Sequence, residues 1–456
     1  MSENTRTVKN AVCTFCGCVC DDMELTVDID ENRITKAKNA CIIGRAWFTE
    51  HVVEDRPIAA IGGKEVSLEE AVEESAQILS KARFPLIYGL SEASVEAQCE
   101  AVAIADYMRG SIDSTSSVCH GPTGMAFQGV GESTTTLGEV KNRADLVIFW
   151  GCNPAEAHPR LFTRYAVTTK GMFIPRGKKD RTVVLIDPRR TASAPVANIH
   201  IRPKPATDFE MIWALRALIK GKKVNASIEK ITGVPLETLQ DLADRMKNCN
   251  FGVVFFGMGL TMPRGRHFNT GALFSLVTDL NEFTHFVVKP ARGHGNVTGA
   301  DQVLTWQTGY PFGVNFNLGF PRFNPGEFTA VDSLARDGAD AAMFIASDPA
   351  SNFPKAAIEQ MKRIPVISLD TRRTVTSELA HVVFSTSAWG LNEHGTAYRM
   401  DDVPISLHPA FESPFPSDVT ILSAIKKRVF ELNADKRSKG TPTGNGTGKA
   451  TLHATM

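Results

Sequence analysis

Short, unbroken apolar runs recur along the chain, each ending in a polar turn and separated from the next by helical periodicity. They fall at 85–88, 145–150, 183–186, 253–256, 343–346 and 366–369. Half-exposed strands would alternate apolar and polar residues, so continuous runs of this length predict parallel strands buried on both faces. Between them, Ser67-Leu-Glu-Glu70 is a capping-box pattern that opens a helix carrying Leu68, Ala71, Val72, Ile78 and Leu79 on one side. The fold expectation is therefore α/β.

The runs also repeat as a set. DLVIFWGCNP at 145–154, followed by VVLIDPRRT at 183–191, is echoed by AMFIASDP at 342–349 and VISLDTRRT at 366–374. Two related Rossmann-like units are implied. In each, a strand runs into a polar turn at its carboxyl end, where open α/β sheets bind ligands, so the repeat predicts two similar ligands or one pseudo-symmetric pair.

A length of 456 residues requires more than one core. The expected division is a cysteine-rich head at 1–60, one α/β unit from 61–138 with 300–385, and a second at 139–299. A return segment with a C-terminal helix follows at 386–434, then a polar tail at 435–456 that is expected to be disordered. Fifty basic residues balance 50 acidic ones, and 43% of the chain is hydrophobic. That balance points to neither nucleic acid nor a membrane surface. No run reaches the roughly 18 apolar residues of a membrane span, and the polar opening MSENTRTVKN leads to a cytoplasmic expectation.

Of the nine cysteines, Cys13, Cys16, Cys18, Cys20 and Cys41 crowd into the head, unlike a disulfide framework in a large protein. Three sulfurs on one loop, Cys13, Cys16 and Cys20, with a fourth on a returning segment, Cys41, suit a [4Fe-4S] cluster. A structural zinc site is the plainer alternative. Cys18 is surplus, and by spacing it could exchange with Cys16 or Cys20.

The combination of these cysteines with NPAEAHP at 153–159 and DPRRT at 187–191 resembles the prokaryotic molybdopterin oxidoreductases that carry two pterin guanine dinucleotides. The likeness runs from residue 13 to about residue 400. Within that superfamily, the pattern CxxCGxxCDD at 13–22 and VCHG at 118–121 is most similar to the family of tungsten- or molybdenum-binding subunits of formylmethanofuran dehydrogenases. The resemblance implies that the two α/β units bind the pterins. It also implies that Cys119 is the protein ligand to tungsten or molybdenum, a soft thiolate being suited to a metal already bound by dithiolene sulfur. Taken alone, Cys119 in its small-residue loop would be read as an inert buried thiol.

His120 would then move a proton from a near-neutral pKa, and Arg292 would hold formate or polarise CO2 through its planar fork. His294 is close to Arg292 in sequence, and a loop histidine satisfied by backbone is its plainer reading. Cofactor-binding roles fall by the same resemblance on Asn153, Glu156, His158, Asp187, Arg189, Thr191, Gly257, Gly259, Asp348, Asp370, Gly395 and Thr396. Asp187 and Asp370 are the strand-end carboxylates that would accept from ribose or guanine. Gly257 and Gly259 also read as a simple strand-to-helix turn. Arg45 and Lys64 are the candidates for a cation between cluster and pterin.

Longer relatives continue beyond a motif like NEHGT at 392–396 into a β-barrel domain. Here a helix near 418–432 is soon followed by the tail, so a separate β-barrel subunit is expected to complete the site. The resemblance further implies an amidohydrolase subunit that condenses formate with methanofuran, and ferredoxin-type subunits that deliver electrons. The rival readings are a stand-alone formate dehydrogenase and a metal-free scaffold subunit of a formyltransferase/hydrolase complex.

Overall fold

All six apolar runs form strands in the computed structural model, which describes residues 4–51, 53 and 55–439. They are Pro85–Gly89, Leu146–Trp150, Thr182–Ile186, Phe251–Phe256, Ala341–Ile345 and Val366–Asp370. Their ends move by a residue or two from the apolar boundaries, because backbone pairing and not apolarity ends a strand. Ala346, for instance, is left out because its φ of 46° turns the chain away.

These strands build two sheets. A five-stranded, wholly parallel sheet has the order Ile199–Ile201, Thr182–Ile186, Leu146–Trp150, Phe251–Phe256, His285–Pro290. A nine-stranded sheet has a parallel centre of Ser111–Ser114, Pro85–Gly89, Ala341–Ile345, Val366–Asp370 and Val382–Ser385. Antiparallel strands close both its margins: Val314–Asn315 with Arg322–Phe323, and Ala59–Ile61 with Lys64–Val66. The repeated motifs occupy matching places, with Trp150 paired beside Ile186 in one sheet and Ile345 beside Leu369 in the other.

Helices cover the nine-stranded sheet. Leu68–Lys81 begins at the expected capping box, where Ser67 Oγ accepts the Glu70 N–H at 3.1 Å and Glu70 Oε2 accepts the Ser67 N–H at 2.9 Å. The helix Asp418–Lys439 packs on it and on Val95–Tyr107, burying Ile421, Leu422, Ile425 and Val429. It extends past residue 435 into the segment expected to be tail. The rest of that segment, 440–456, lies outside the described residues. Among the described residues no helix is long and apolar enough to cross a membrane.

The head is a three-stranded antiparallel sheet of Thr5–Cys13, Cys20–Asp28 and Arg33–Lys38, with Cys13 directly opposite Cys20. Its core residues Met23, Leu25 and Phe48 join Leu137, Phe149 and Phe255 of the five-stranded unit in one apolar cluster. Polar anchors surround that contact. Arg160 reaches Asp22 with both terminal guanidinium nitrogens at 2.6 Å, and Arg164 reaches Asp21 at 2.7 Å. Arg160 is 14% exposed, so this bidentate pair is more than a solvated surface contact. Replacing it (Arg160→Ala) should free the head locally. Amide hydrogen exchange should rise roughly tenfold across residues 13–41, the cost of losing about 1.5 kcal/mol of charged hydrogen bonding, while the two sheets keep their protection. Unchanged exchange in the head would rule out this anchoring.

Candidate active site

At the carboxyl ends of their central strands the two sheets repeat one hydrogen-bond scheme. The Gly151 N–H meets the Ile186 carbonyl at 2.9 Å, and the Ala346 N–H meets the Leu369 carbonyl at 2.8 Å. Asn153 Oδ1 accepts from Ser193 N (3.2 Å) and Ser193 Oγ (2.6 Å), and Ser193 Oγ accepts from Ala155 N (3.1 Å). In the other unit, Asp348 Oδ1 accepts from Thr376 N (2.8 Å) and Thr376 Oγ1 (2.6 Å), and Thr376 Oγ1 accepts from Ala350 N (3.0 Å). Asp187 and Asp370 each accept the N–H two residues on, from Arg189 at 2.8 Å and Arg372 at 3.0 Å. The repeated residues thus shape the two turns, and burial pushes the Asp370 carboxyl up to about 6.

Beside these turns, the side chain of Arg189 is 80% exposed, while Thr191 Oγ1 is shut from solvent without a hydrogen-bond partner. Gly257 and Gly259 bring the next strand end against the first. The Gly257 N–H bonds the Trp150 carbonyl at 3.1 Å and the Gly259 N–H bonds the Gly151 carbonyl at 2.9 Å. A Cβ on Gly259 would sit 2.7 Å from Gly151 Cα, so this contact admits only glycine. Glu156 is exposed. His158 is buried, with Nε2 2.6 Å from the Arg292 carbonyl. Gly395 and Thr396 lie against the first turn of Val95–Tyr107, where Thr396 N and Oγ1 bond the Glu96 carboxylate at 3.0 and 2.9 Å.

Cys13, Cys16, Cys20 and Cys41 line one small cavity, with Met23, Ala40, Pro159 and Arg160. Cys41 is the N-cap of Ile42–Thr49, and its Sγ accepts the Gly44 N–H at 3.4 Å. A Cβ at Gly44 would lie 3.0 Å from Cys13 Sγ. Cys18 is fully buried and takes no part in this lining. Hydrogen bonding with Cys16 and Cys20 raises its thiol well above the usual range, and that same Cys18 bond lowers the thiol of Cys20. Arg45 and Lys64 are exposed and outside the lining, whereas Arg160 is part of it.

The cysteine loop rests directly on the segment after His285–Pro290. The Gly17 N–H bonds the Gly293 carbonyl at 3.3 Å, Cys16 bridges His294 through backbone, and a Cβ on Gly295 would fall 1.9 Å from the Thr14 carbonyl. Arg292 belongs to this same segment. It is 4% exposed, its Nη1 is paired with Asp301, and Nη1 also bonds Ser116 Oγ at 3.1 Å. Asp301 accepts in addition from Ser114 Oγ (3.3 Å) and Ser116 Oγ (2.6 Å).

Those serines lead to Cys119, which follows the strand Ser111–Ser114 and one 3₁₀ turn, Thr115–Val118. Asp113 fixes the turn from inside, accepting Ser114 N (3.0 Å), Gly313 N (2.9 Å), Ser117 Oγ (2.7 Å) and Ala330 N (2.7 Å). Cys119 is 8% exposed, and burial pushes its thiol up to about 11 against an opposing pull from Arg292. His120 is buried, with Nδ1 3.1 Å from Thr123 Oγ1 and Nε2 lacking any partner at hydrogen-bonding geometry. Burial first, then the Arg292 charge, pushes its pKa down to about 3, outweighing an upward pull from the Ala291 carbonyl. Burial among these groups thus works against the near-neutral pKa expected from residue type alone. The pattern of the sequence also missed Asp301, Asp113 and Arg160, each of which has a partner remote in the chain.

These features define a class. A family model for molybdopterin oxidoreductases matches residues 101–428, and the chain belongs to that family. The B subunit of the tungsten-containing formylmethanofuran dehydrogenase 2 of Methanocaldococcus jannaschii is 44% identical over 94% of this chain and 99% of its own length. Within the family, the chain therefore belongs with these formylmethanofuran dehydrogenase subunits. Two solved structures share the mixed α/β fold. Acetylene hydratase from Pelobacter acetylenicus has a TM-score of 0.72 at 14% identity, covering 93% of this chain and 69% of that one. A chain of the formyltransferase/hydrolase complex from Methylorubrum extorquens, solved with methylofuran, has a TM-score of 0.68 at 22% identity, covering 82% and 99%.

Asp113→Ala would leave three backbone donors, Ser114 N, Gly313 N and Ala330 N, unsatisfied in the interior. A loss of about 3 kcal/mol or more is expected in denaturant unfolding, and a loss below about 1 kcal/mol would show that the turn is held by other contacts.

Proposed function

We propose that this chain is the redox-catalytic subunit of a formylmethanofuran dehydrogenase, reducing CO2 reversibly to formate with two electrons and leaving formate for another subunit to condense with methanofuran. One observation carries the reading: Cys119, His120 and Arg292 are buried together, and the Arg292 charge acts on both of the others.

A tungsten or molybdenum ion held by Cys119 and the dithiolenes of two pterin guanine dinucleotides would supply the two-electron step. Arg292 binds the carboxylate of formate or polarises CO2 through its guanidinium, which Asp301 anchors at Nη1. His120, buried beside Cys119 with Nε2 lacking a partner at hydrogen-bonding geometry, orients substrate or shares a hydrogen bond with it. His158 positions Arg292 through its carbonyl.

Seats for the dinucleotides are proposed at the two matched strand ends: Asn153, Glu156, His158, Asp187, Arg189 and Thr191 with Gly257 and Gly259 on one side, and Asp348, Asp370, Gly395 and Thr396 on the other. Support comes from the duplicated turn scheme and from Thr191 Oγ1, a buried hydroxyl with no protein partner. The proposed units are 139–299 for the first and 61–138 with 300–385 for the second, joined to a cluster subdomain at 1–60 by the return segment 386–434.

A [4Fe-4S] cluster on Cys13, Cys16, Cys20 and Cys41 is proposed for the head. The four residues share one cavity, and three thiols on one loop with a fourth on a returning segment suit a multi-iron cluster better than one zinc. The partners proposed are a β-barrel subunit over the pterins, an amidohydrolase subunit and ferredoxin-type iron-sulfur subunits, in the cytoplasm. The relative from M. jannaschii is named as one subunit of its enzyme, and a fold neighbour was solved within a formyltransferase/hydrolase complex.

Elemental analysis of the purified complex should give about four or more iron atoms per chain and tungsten or molybdenum in equal amount to the chain. Stoichiometric zinc without iron would overturn the cluster. Cys119→Ala should abolish CO2 reduction while the electron paramagnetic resonance signal of the head cluster persists; retained activity would require another metal ligand. Arg292→Lys keeps the charge but loses the fork, so kcat/KM should fall on the order of 100-fold, and near-normal kinetics would refute carboxylate binding there.

A further inference from the structure

Arg292 opens on a cavity of about 340 Å³ whose wall contains Glu132, an acid with no assigned role. Its charged lining is Arg292, Asp301, Lys289, Asp402 and Glu132, with Gln302 beside them. Glu132 follows the helix Gly121–Val130 and is held against the strand His285–Pro290 by the bond from Val288 N to the Ser133 carbonyl, 2.9 Å. The other charges in the wall are matched. Lys289, 1% exposed, pairs with Asp402 at 3.3 Å, and Arg292 pairs with Asp301. Glu132 Oε1, by contrast, is shut from solvent with no hydrogen-bond partner. Asp402 carries the cavity wall out to solvent, with its side chain 45% exposed.

If the proposed function holds, each CO2 reduced consumes one proton, and Arg292, which opens on this cavity, never releases one. We propose that Glu132 carries the proton for CO2 reduction, moving it between solvent at the Asp402 end of the cavity and the Arg292 end. In the reducing direction the Glu132 O–H bond breaks and the C–H bond of formate forms. One electron pair of a C=O bond withdraws onto oxygen. The two electrons come from reduced iron-sulfur carriers, and water reprotonates the carboxylate. Burial suits Glu132 to this work: it raises the carboxyl to about 7, against Lys289 and Arg292, which lower it, and with Asp402, which raises it. Such an acid is loaded below neutral pH and gives up its proton cheaply near neutrality.

Infrared difference spectra of the intact complex, recorded across pH, test this together with the kinetics of E132Q and E132D. A protonated-carboxyl band that vanishes as pH rises through about 7, and is missing from E132Q, is expected. CO2 reduction by E132Q should fall on the order of 100-fold in kcat with KM preserved. E132D, which retains the acid, should recover part of the rate with a displaced pH profile. Wild-type kcat and pH dependence in E132Q, or the absence of any band removed by that substitution, would overturn the proposal. A wild-type complex that makes no formate would sink the functional reading instead, and the infrared band would still decide whether Glu132 holds a proton.

Discussion

Burying a guanidinium is tolerable only where its charge is matched, since an unpaired buried cation costs several kcal/mol. The pair between Arg292 and Asp301 meets that condition, and much of the site is arranged around it. Asp301 stands on the helix Val297–Thr308 and takes hydrogen bonds from Ser114 and Ser116 as well. One carboxylate therefore fixes both the arginine and the turn that presents Cys119. On the other side, the carbonyl of Arg292 is held by His158, and the following glycines receive the cysteine loop. The head, the thiol and the arginine are located relative to one another by contacts of a few ångströms, with no long lever arm between them.

What could be read from the sequence was what it encodes locally or repeats. The two strand-turn units were legible because their segments recur as a pair: Asn153 and Asp348 each accept from the backbone and one short side chain of a second turn, and Asp187 and Asp370 each accept the N–H two residues on. Buried parallel strands were legible for a similar reason, a run of apolar side chains being its own signature. The supports of Cys119 were not. Asp113 takes its hydrogen bonds partly from Gly313 and Ala330, and Arg160 finds Asp22 in the head; neither pairing has a period or spacing in the chain. His120 was visible as a residue, yet its protonation is decided by burial and by a cation remote in sequence, and composition carries no trace of that.

The duplication is also inexact in an informative way. Gly151, with φ of 58°, answers to Ala346, with φ of 46°. Both positions need a left-handed turn so that the chain leaves the strand and exposes the polar residues after it. In the first unit that turn must also accept Gly259 in close contact, which excludes any side chain, whereas the second tolerates a methyl group at the cost of backbone strain. Equivalent turns have thus been specialised by their neighbours, so the two units are related without being interchangeable.

The margins of the larger sheet have a bearing on how such a chain survives before it finds partners. Open sheet edges recruit strands from other molecules and lead to aggregation. Here one edge ends in a two-residue strand, Arg322–Phe323, and the other in the three-residue Lys64–Val66, with Lys64 and Glu65 exposed on it. Neither offers a long flat template. The larger sheet therefore offers a stray strand little to pair with at either margin.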